Sequence, residues 1–148
     1  MRFAWVACWV LSMAALAGCG KQPGVYGNFA EADSVELVRD AVNALSTNFP
    51  PAKTRLALVQ ETPDAFGVAL VEALRAEGYA VAEYAEGDTS LPALKPDGLA
   101  FAYVVDDMDD EVRVALHVGD GTLSRMYRVQ DGGGAFEYIP LGFWTFRQ

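Results

Sequence analysis

Cysteine and histidine are nearly missing from this chain of 148 residues, which holds two of the first and one of the second. That scarcity excludes zinc fingers, haem sites, iron–sulfur clusters and most histidine-based catalysis, which need several such ligands or an imidazole beside a nucleophile. Positive charge is also short: 11 Lys and Arg stand against 20 Asp and Glu, for a net charge of −9. Phosphate backbones are held by concentrated basic surface, so direct nucleic-acid binding is not expected. Electrostatic docking of the whole domain on an anionic membrane is not expected either. The chain lacks a Gly-x-Ser-x-Gly elbow, the strained turn that exposes a nucleophilic serine. It also lacks the spaced aspartates and glycine of a calcium loop. No catalytic residue, cofactor or metal is therefore expected, and the chain reads as something other than an enzyme.

One apolar run is present, at residues 3–15, and only Ser12 interrupts it. It falls short of the roughly 20 residues a membrane span needs. With Arg2 before it and small residues after it, the run reads as a secretory signal over residues 1–18. The cut site is Leu16-Ala17-Gly18-Cys19, which resembles the lipobox of bacterial lipoproteins. In that group the cysteine thiol is acylated, the chain is cut before it, and the new amino group is acylated in turn. Cys19 is thus the expected lipidation site, and membrane lipid the first expected partner. One acyl chain holds only marginally, at about 0.8 kcal/mol per buried CH₂, whereas several hold firmly. Gly20, rather than an aspartate, follows Cys19. By the same resemblance this favours the outer membrane, with the domain facing the periplasm. Cys8 leaves with the signal and Cys19 is modified, so no internal disulfide is expected.

Residues 19–31 read as a tether containing Pro23, Gly24 and Gly27, with a reach of about 40 Å at most. Its Tyr26 and Phe29 are candidates for docking on the domain or on a partner. Residues 32–148 read as one domain. Asp33 and Glu36 suggest a capping box for a first helix over residues 34–48, with Val35, Val38, Ala41, Val42 and Leu45 as its apolar stripe. Pro50 and Pro51 end it and impose an extended path into a strand over residues 54–60. Thr62 as cap and Pro63 at the first helical position open a second helix, with Phe66, Leu70, Val71 and Leu74 inward and Gly78 at its end. A strand follows over residues 79–84, then a polar loop over 86–97. From Gly98 the pattern is β. Leu99, Phe101, Tyr103 and Val105 alternate with Ala100, Ala102 and Val104, apolar on both faces and so central. Val112, Val114, Leu116 and Val118 alternate with Arg113, Ala115 and His117, which leaves one dry face. A further strand spans 122–130, and one or two short strands surround Pro140 and Gly142. The expected fold is α+β, with two helices packed on one face of a mostly antiparallel sheet of five to six strands.

Among candidate sites, Asp106, Asp107, Asp109, Asp110 and Glu111 form the densest charge cluster, and their place between two strands reads as a solvated turn. His117 reads as a strand residue without a catalytic role. Gly132, Gly133 and Gly134 do not lead a strand into a helix, so they are not a phosphate loop. Phe143-Trp144-Thr145-Phe146 stands out. Trp144 and Phe146 share one strand face by alternation, either completing the core or anchoring a partner protein.

Several segments together resemble the TrbH family of conjugal-transfer proteins. They are the lipobox, Phe49-Pro50-Pro51-Ala52-Lys53-Thr54, Asp64-Ala65-Phe66-Gly67 with Leu70-Val71 and Leu74-Arg75, Gly78-Tyr79-Ala80-Val81, and Gly142-Phe143-Trp144-Thr145. The resemblance covers most of the chain after the signal. It implies a structural component of a type IV secretion apparatus that moves DNA between cells. Other channel proteins would be its partners, further copies of itself could be among them, and no catalytic residues carry over. The residues alone leave open a second reading, a periplasmic lipoprotein that captures a small ligand or cell-wall fragment beside residues 86–97.

Overall fold

The computed structural model describes residues 24–26, 31–83, 97–133 and 135–148. The signal segment, Cys19, Phe29 and residues 84–96, which hold all of the expected polar loop but Asp97, lie outside these residues.

Among the described residues, seven strands and two helices build one sheet with a helical layer on one face. The strands are β1 (Gly24–Tyr26), β2 (Arg55–Leu58), β3 (Ala80–Ala82), β4 (Leu99–Met108), β5 (Glu111–Val118), β6 (Gly121–Asp131) and β7 (Phe136–Arg147). The helices are α1 (Glu31–Asn48) and α2 (Ala65–Glu77), and Pro51–Lys53 forms a 3-10 turn between α1 and β2. Strand order is β3-β2-β4-β5-β6-β7, with β1 parallel to β4 at its far end. Strands β4 to β7 form an antiparallel meander, while β1, β2 and β3 join in parallel. The fold is the expected α+β. The strand beyond the expected six is β1, which draws three tether residues into the sheet.

The core lies between the helices and the face carrying Leu56, Leu58, Phe101, Tyr103, Val105, Val114, Leu116 and Leu123, all of them buried. Burying this contiguous apolar face is the main favourable term of the fold. From α1 come Leu37, Val38, Ala41, Val42 and Leu45; from α2 come Phe66, Leu70, Val71 and Leu74. Val35 was expected in the α1 stripe but stands exposed, and Leu37 takes its place.

Several boundaries differ from the sequence reading, each for a local reason. Helix α1 starts at Glu31, so Asp33 lies inside its first turn rather than capping it. Helix α2 is capped by Asp64, not Thr62, because the Asp64 carboxylate accepts from the Gly67 N–H at 2.7 Å. Pro63 consequently precedes the helix. Gly78 closes α2 in the left-handed region at φ 101°, as expected of a C-terminal glycine. Pro50 is extended, but Pro51 then enters the 3-10 turn instead of continuing so. Strand β2 ends at Leu58, two residues early, yet its ladder continues by other means. The Val59 N–H donates to the Phe101 carbonyl, and the Gln60 side-chain oxygen accepts from the Tyr103 N–H at 2.9 Å. Gln60 thereby fills the gap along β4 between the stretch paired with β2 and the stretch paired with β1. At the C-terminus, a strand of twelve residues stands where one or two short ones were expected. Pro140 keeps its register with Tyr127, and a bulge after Leu141 carries the strand past Gly142.

Candidate functional site: the C-terminal edge strand and its aromatic residues

Strand β7 is the last in the sheet order, so one of its sides has no neighbour among the described residues. Exposed strand edges are templates for further pairing unless something interrupts them. Here the interruption is local. Pairing with β6 runs from Asp131↔Phe136 to Met126↔Leu141, then resumes at Ser124↔Thr145. Arg125 alone therefore faces Gly142, Phe143 and Trp144. Gly142 sits at φ 74°, a conformation that glycine reaches without strain.

The bulge sets three aromatic side chains in different surroundings. Trp144 is half-buried against the core, and its indole N–H donates to Asp40 Oδ2 at 3.0 Å. Phe146 meets the Phe49 ring edge-on, at 5.8 Å between centroids. It also crosses over Gly121, where a Cβ would lie 2.5 Å from the ring. Both rings thus lie on the helix side, the shared face expected from alternation. Phe143, directly before Trp144, is 91% exposed.

Asp40, on α1, is the polar anchor for this corner. Its Oδ2 accepts from Trp144, from Arg125 Nη1 at 2.9 Å, and from the Tyr127 hydroxyl. Arg125 Nη2 donates to the Gly142 carbonyl at 2.6 Å, which ties the bulge to the same cluster. Burial pushes the Tyr127 hydroxyl far above its ordinary pKa, and its hydrogen bond to Asp40 adds to this. The arrangement fixes β7 to α1 and holds Phe143 outward on a braced backbone.

The remaining sequence candidates fall elsewhere. Tyr26, on β1, pairs in register with Asp106 and is 40% exposed, on the side of the sheet away from β7. The acidic cluster is the β4–β5 turn, with Asp109 in the left-handed region at φ 59°. Asp106 itself is buried and accepts from Arg113. Among the described residues, no group of three or more His, Cys, Asp or Glu is placed to hold a metal. His117 Nδ1 pairs with the Thr122 hydroxyl at 3.0 Å. Of the loop expected to edge a ligand groove, only Asp97 is described, exposed and paired with Arg55. Sequence reasoning singled out Trp144 and Phe146 by alternation within the run and gave Phe143 no role of its own. The glycine directly before an aromatic run was the available signal.

No helix among the described residues is long and apolar enough to cross a membrane. The family model described as "Conjugal transfer protein TrbH" matches residues 22–148. Neither a curated protein nor a solved structure matches the chain.

Proposed function

Since the chain belongs to the TrbH family of conjugal transfer proteins, we propose that it is an outer-membrane lipoprotein with a structural role in a conjugative type IV secretion apparatus. The observation that carries this reading is a junction in the sequence. The family match begins at residue 22, directly after a signal-like segment that ends in Leu16-Ala17-Gly18-Cys19. In this reading, acylated Cys19 fixes the domain to the membrane and the domain, facing the periplasm, supplies contacts to other channel proteins. The role involves no catalysis. Support for the contact role comes from β7, an edge strand that presents Phe143 nearly fully to solvent from a braced bulge. Exposed aromatics on rigid elements are favoured anchors at protein interfaces.

Mass spectrometry of the protein from its native membrane tests the anchor. The expected N-terminus is a triacylated Cys19; an unmodified thiol there, or a peptide beginning upstream, overturns it. Pull-down of the lipidated, tagged protein tests the role. It should recover other transfer-channel proteins, and normal conjugation by cells lacking the gene would contradict a structural requirement.

A further inference from the structure

The sheet face turned away from the helices carries a shallow trough of about 580 Å³, within the range of small-ligand sites. Register explains its form. The cross-strand row Val104–Ala115–Ser124–Thr145 supplies a floor of short side chains. One row along, about 6.8 Å away on each side, the side chains are longer. His117, Thr122 and Arg147 form one wall, and Arg113 stands in the other.

The charge of the trough is opposite to that of the molecule. The chain is −9 overall, yet the charged residues lining the trough are Arg113 and Arg147. Arg113 is neutralised by buried Asp106 through Nε and Nη2. Arg147 has no acidic partner among the described residues and lies in register with Thr122. Thr122 in turn bonds His117 Nδ1. When the Thr122 hydroxyl donates to Nδ1, the imidazole carries its proton on Nε2 and offers a donor. Within the floor row the Ser124 and Thr145 hydroxyls pair, and when Thr145 donates the Ser124 proton is left free.

We propose that this trough binds a phosphate group, with Arg147 as the charged ligand and the His117 Nε2–H and the Ser124 hydroxyl as further donors. A tetrahedral oxyanion suits this set, because a guanidinium offers a rigid fork and hydroxyls rotate to meet the remaining oxygens. An acidic protein repels anions generally, so a locally positive hollow is where an anion is favoured. Free phosphate and a lipid headgroup phosphate share the chemistry. The site does not depend on the conjugation reading.

His117 is the sole histidine of the chain, so its ring resonances report on this site alone. The test uses the full lipidated chain in a phosphate-free maltoside detergent, titrated with inorganic phosphate and, separately, with chloride at matched ionic strength. A saturable shift of the His117 resonances with phosphate but not chloride is expected. Arg147→Gln should weaken the apparent affinity about tenfold, the loss typical of one charge-assisted contact. Its melting temperature should stay unchanged, because the side chain is exposed. Reconstitution into phosphatidylglycerol vesicles without added phosphate separates the sources. A shift there identifies the headgroup, whereas a shift only on adding phosphate identifies the free ion. The proposal is overturned if no saturable shift occurs in either setting, if chloride reproduces it, or if Arg147→Gln leaves it intact.

Discussion

The Trp144 indole N–H donates to Asp40 Oδ2 across 3.0 Å, joining the last strand to the first helix over 104 residues of chain. Arg125 and Tyr127 converge on the same oxygen, so one carboxylate serves three donors from two strands. Asp40→Ala removes all three acceptor contacts and leaves the Arg125 guanidinium, only 16% exposed, without its counter-charge. A loss of about 2–3 kcal/mol is expected, since an abandoned buried donor costs more than its bond contributed. Urea unfolding midpoints measure it. Asp40→Asn keeps an acceptor but not the charge, and should fall between the two.

A second close approach has no slack. Gly67, in the first turn of α2, faces the Tyr103 hydroxyl, and a Cβ at position 67 would lie 2.0 Å from that oxygen. The same hydroxyl donates to Asp64 Oδ2 at 2.6 Å, holding the residue that caps the helix. Gly67→Ala should cost about 1–3 kcal/mol by overpacking. Tyr103→Phe removes the clashing atom, so the double variant should be less destabilised than the sum of the singles. Additive losses in that cycle would show that the two sites do not press on each other.

The limits of the sequence can be seen at particular residues. The alternation of Leu99 to Val105 and of Val112 to Val118 placed β4 and β5 correctly, because a buried face repeats every second residue. Gly78 marked the end of α2 for an equally local reason. What was hidden depends on distant partners. Nothing near Asp64 says that Tyr103, 39 residues on, will hold its second oxygen and make it the cap. Nothing near Gln60 says that its amide will complete the ladder of β4. Gly24–Tyr26 looked like tether because three residues carry no period, and only the free edge of β4 gives them a place. At the candidate site the aromatic run was visible. The bulge that separates Phe143 from Trp144 was not, since it follows from pairing with Arg125.

That separation gives two opposed expectations. Phe143→Ser removes a side chain that the fold leaves in solvent, so stability should change by no more than about 0.5 kcal/mol. If β7 is a partner surface, the frequency of DNA transfer should fall nonetheless. Trp144→Ala should lose about 2–3 kcal/mol through a vacated half-buried site and an orphaned Asp40 contact. Its effect on transfer should track protein abundance. Full transfer by cells carrying Phe143→Ser would remove Phe143 from the interface.

Alkaline pH probes the buried hydroxyls. Burial, reinforced by the charge of Glu77, pushes Tyr79 up to about 12. Burial raises Tyr103 and Tyr127 further, and each also donates to a carboxylate, Asp64 or Asp40, that its ionised form would repel. In the unfolded chain these phenols titrate near 10. Above that value the unfolded state releases protons that the folded state keeps, so stability falls as pH rises. The contribution is complete below pH of about 10 and is lost progressively as pH climbs toward the folded values. Urea midpoints should therefore hold steady from about pH 8 to 9.5 and then drop. Each protected tyrosine adds a limiting slope of about 1.4 kcal/mol per pH unit. Tyrosinate absorbance from Tyr103 and Tyr127 should appear together with unfolding rather than before it. Tyr127→Phe takes one proton out of the linkage and should flatten the alkaline slope by about that amount. An unchanged slope would mean that the Tyr127 hydroxyl ionises as freely in the folded chain as in the unfolded one, and that the Asp40 cluster does not hold it.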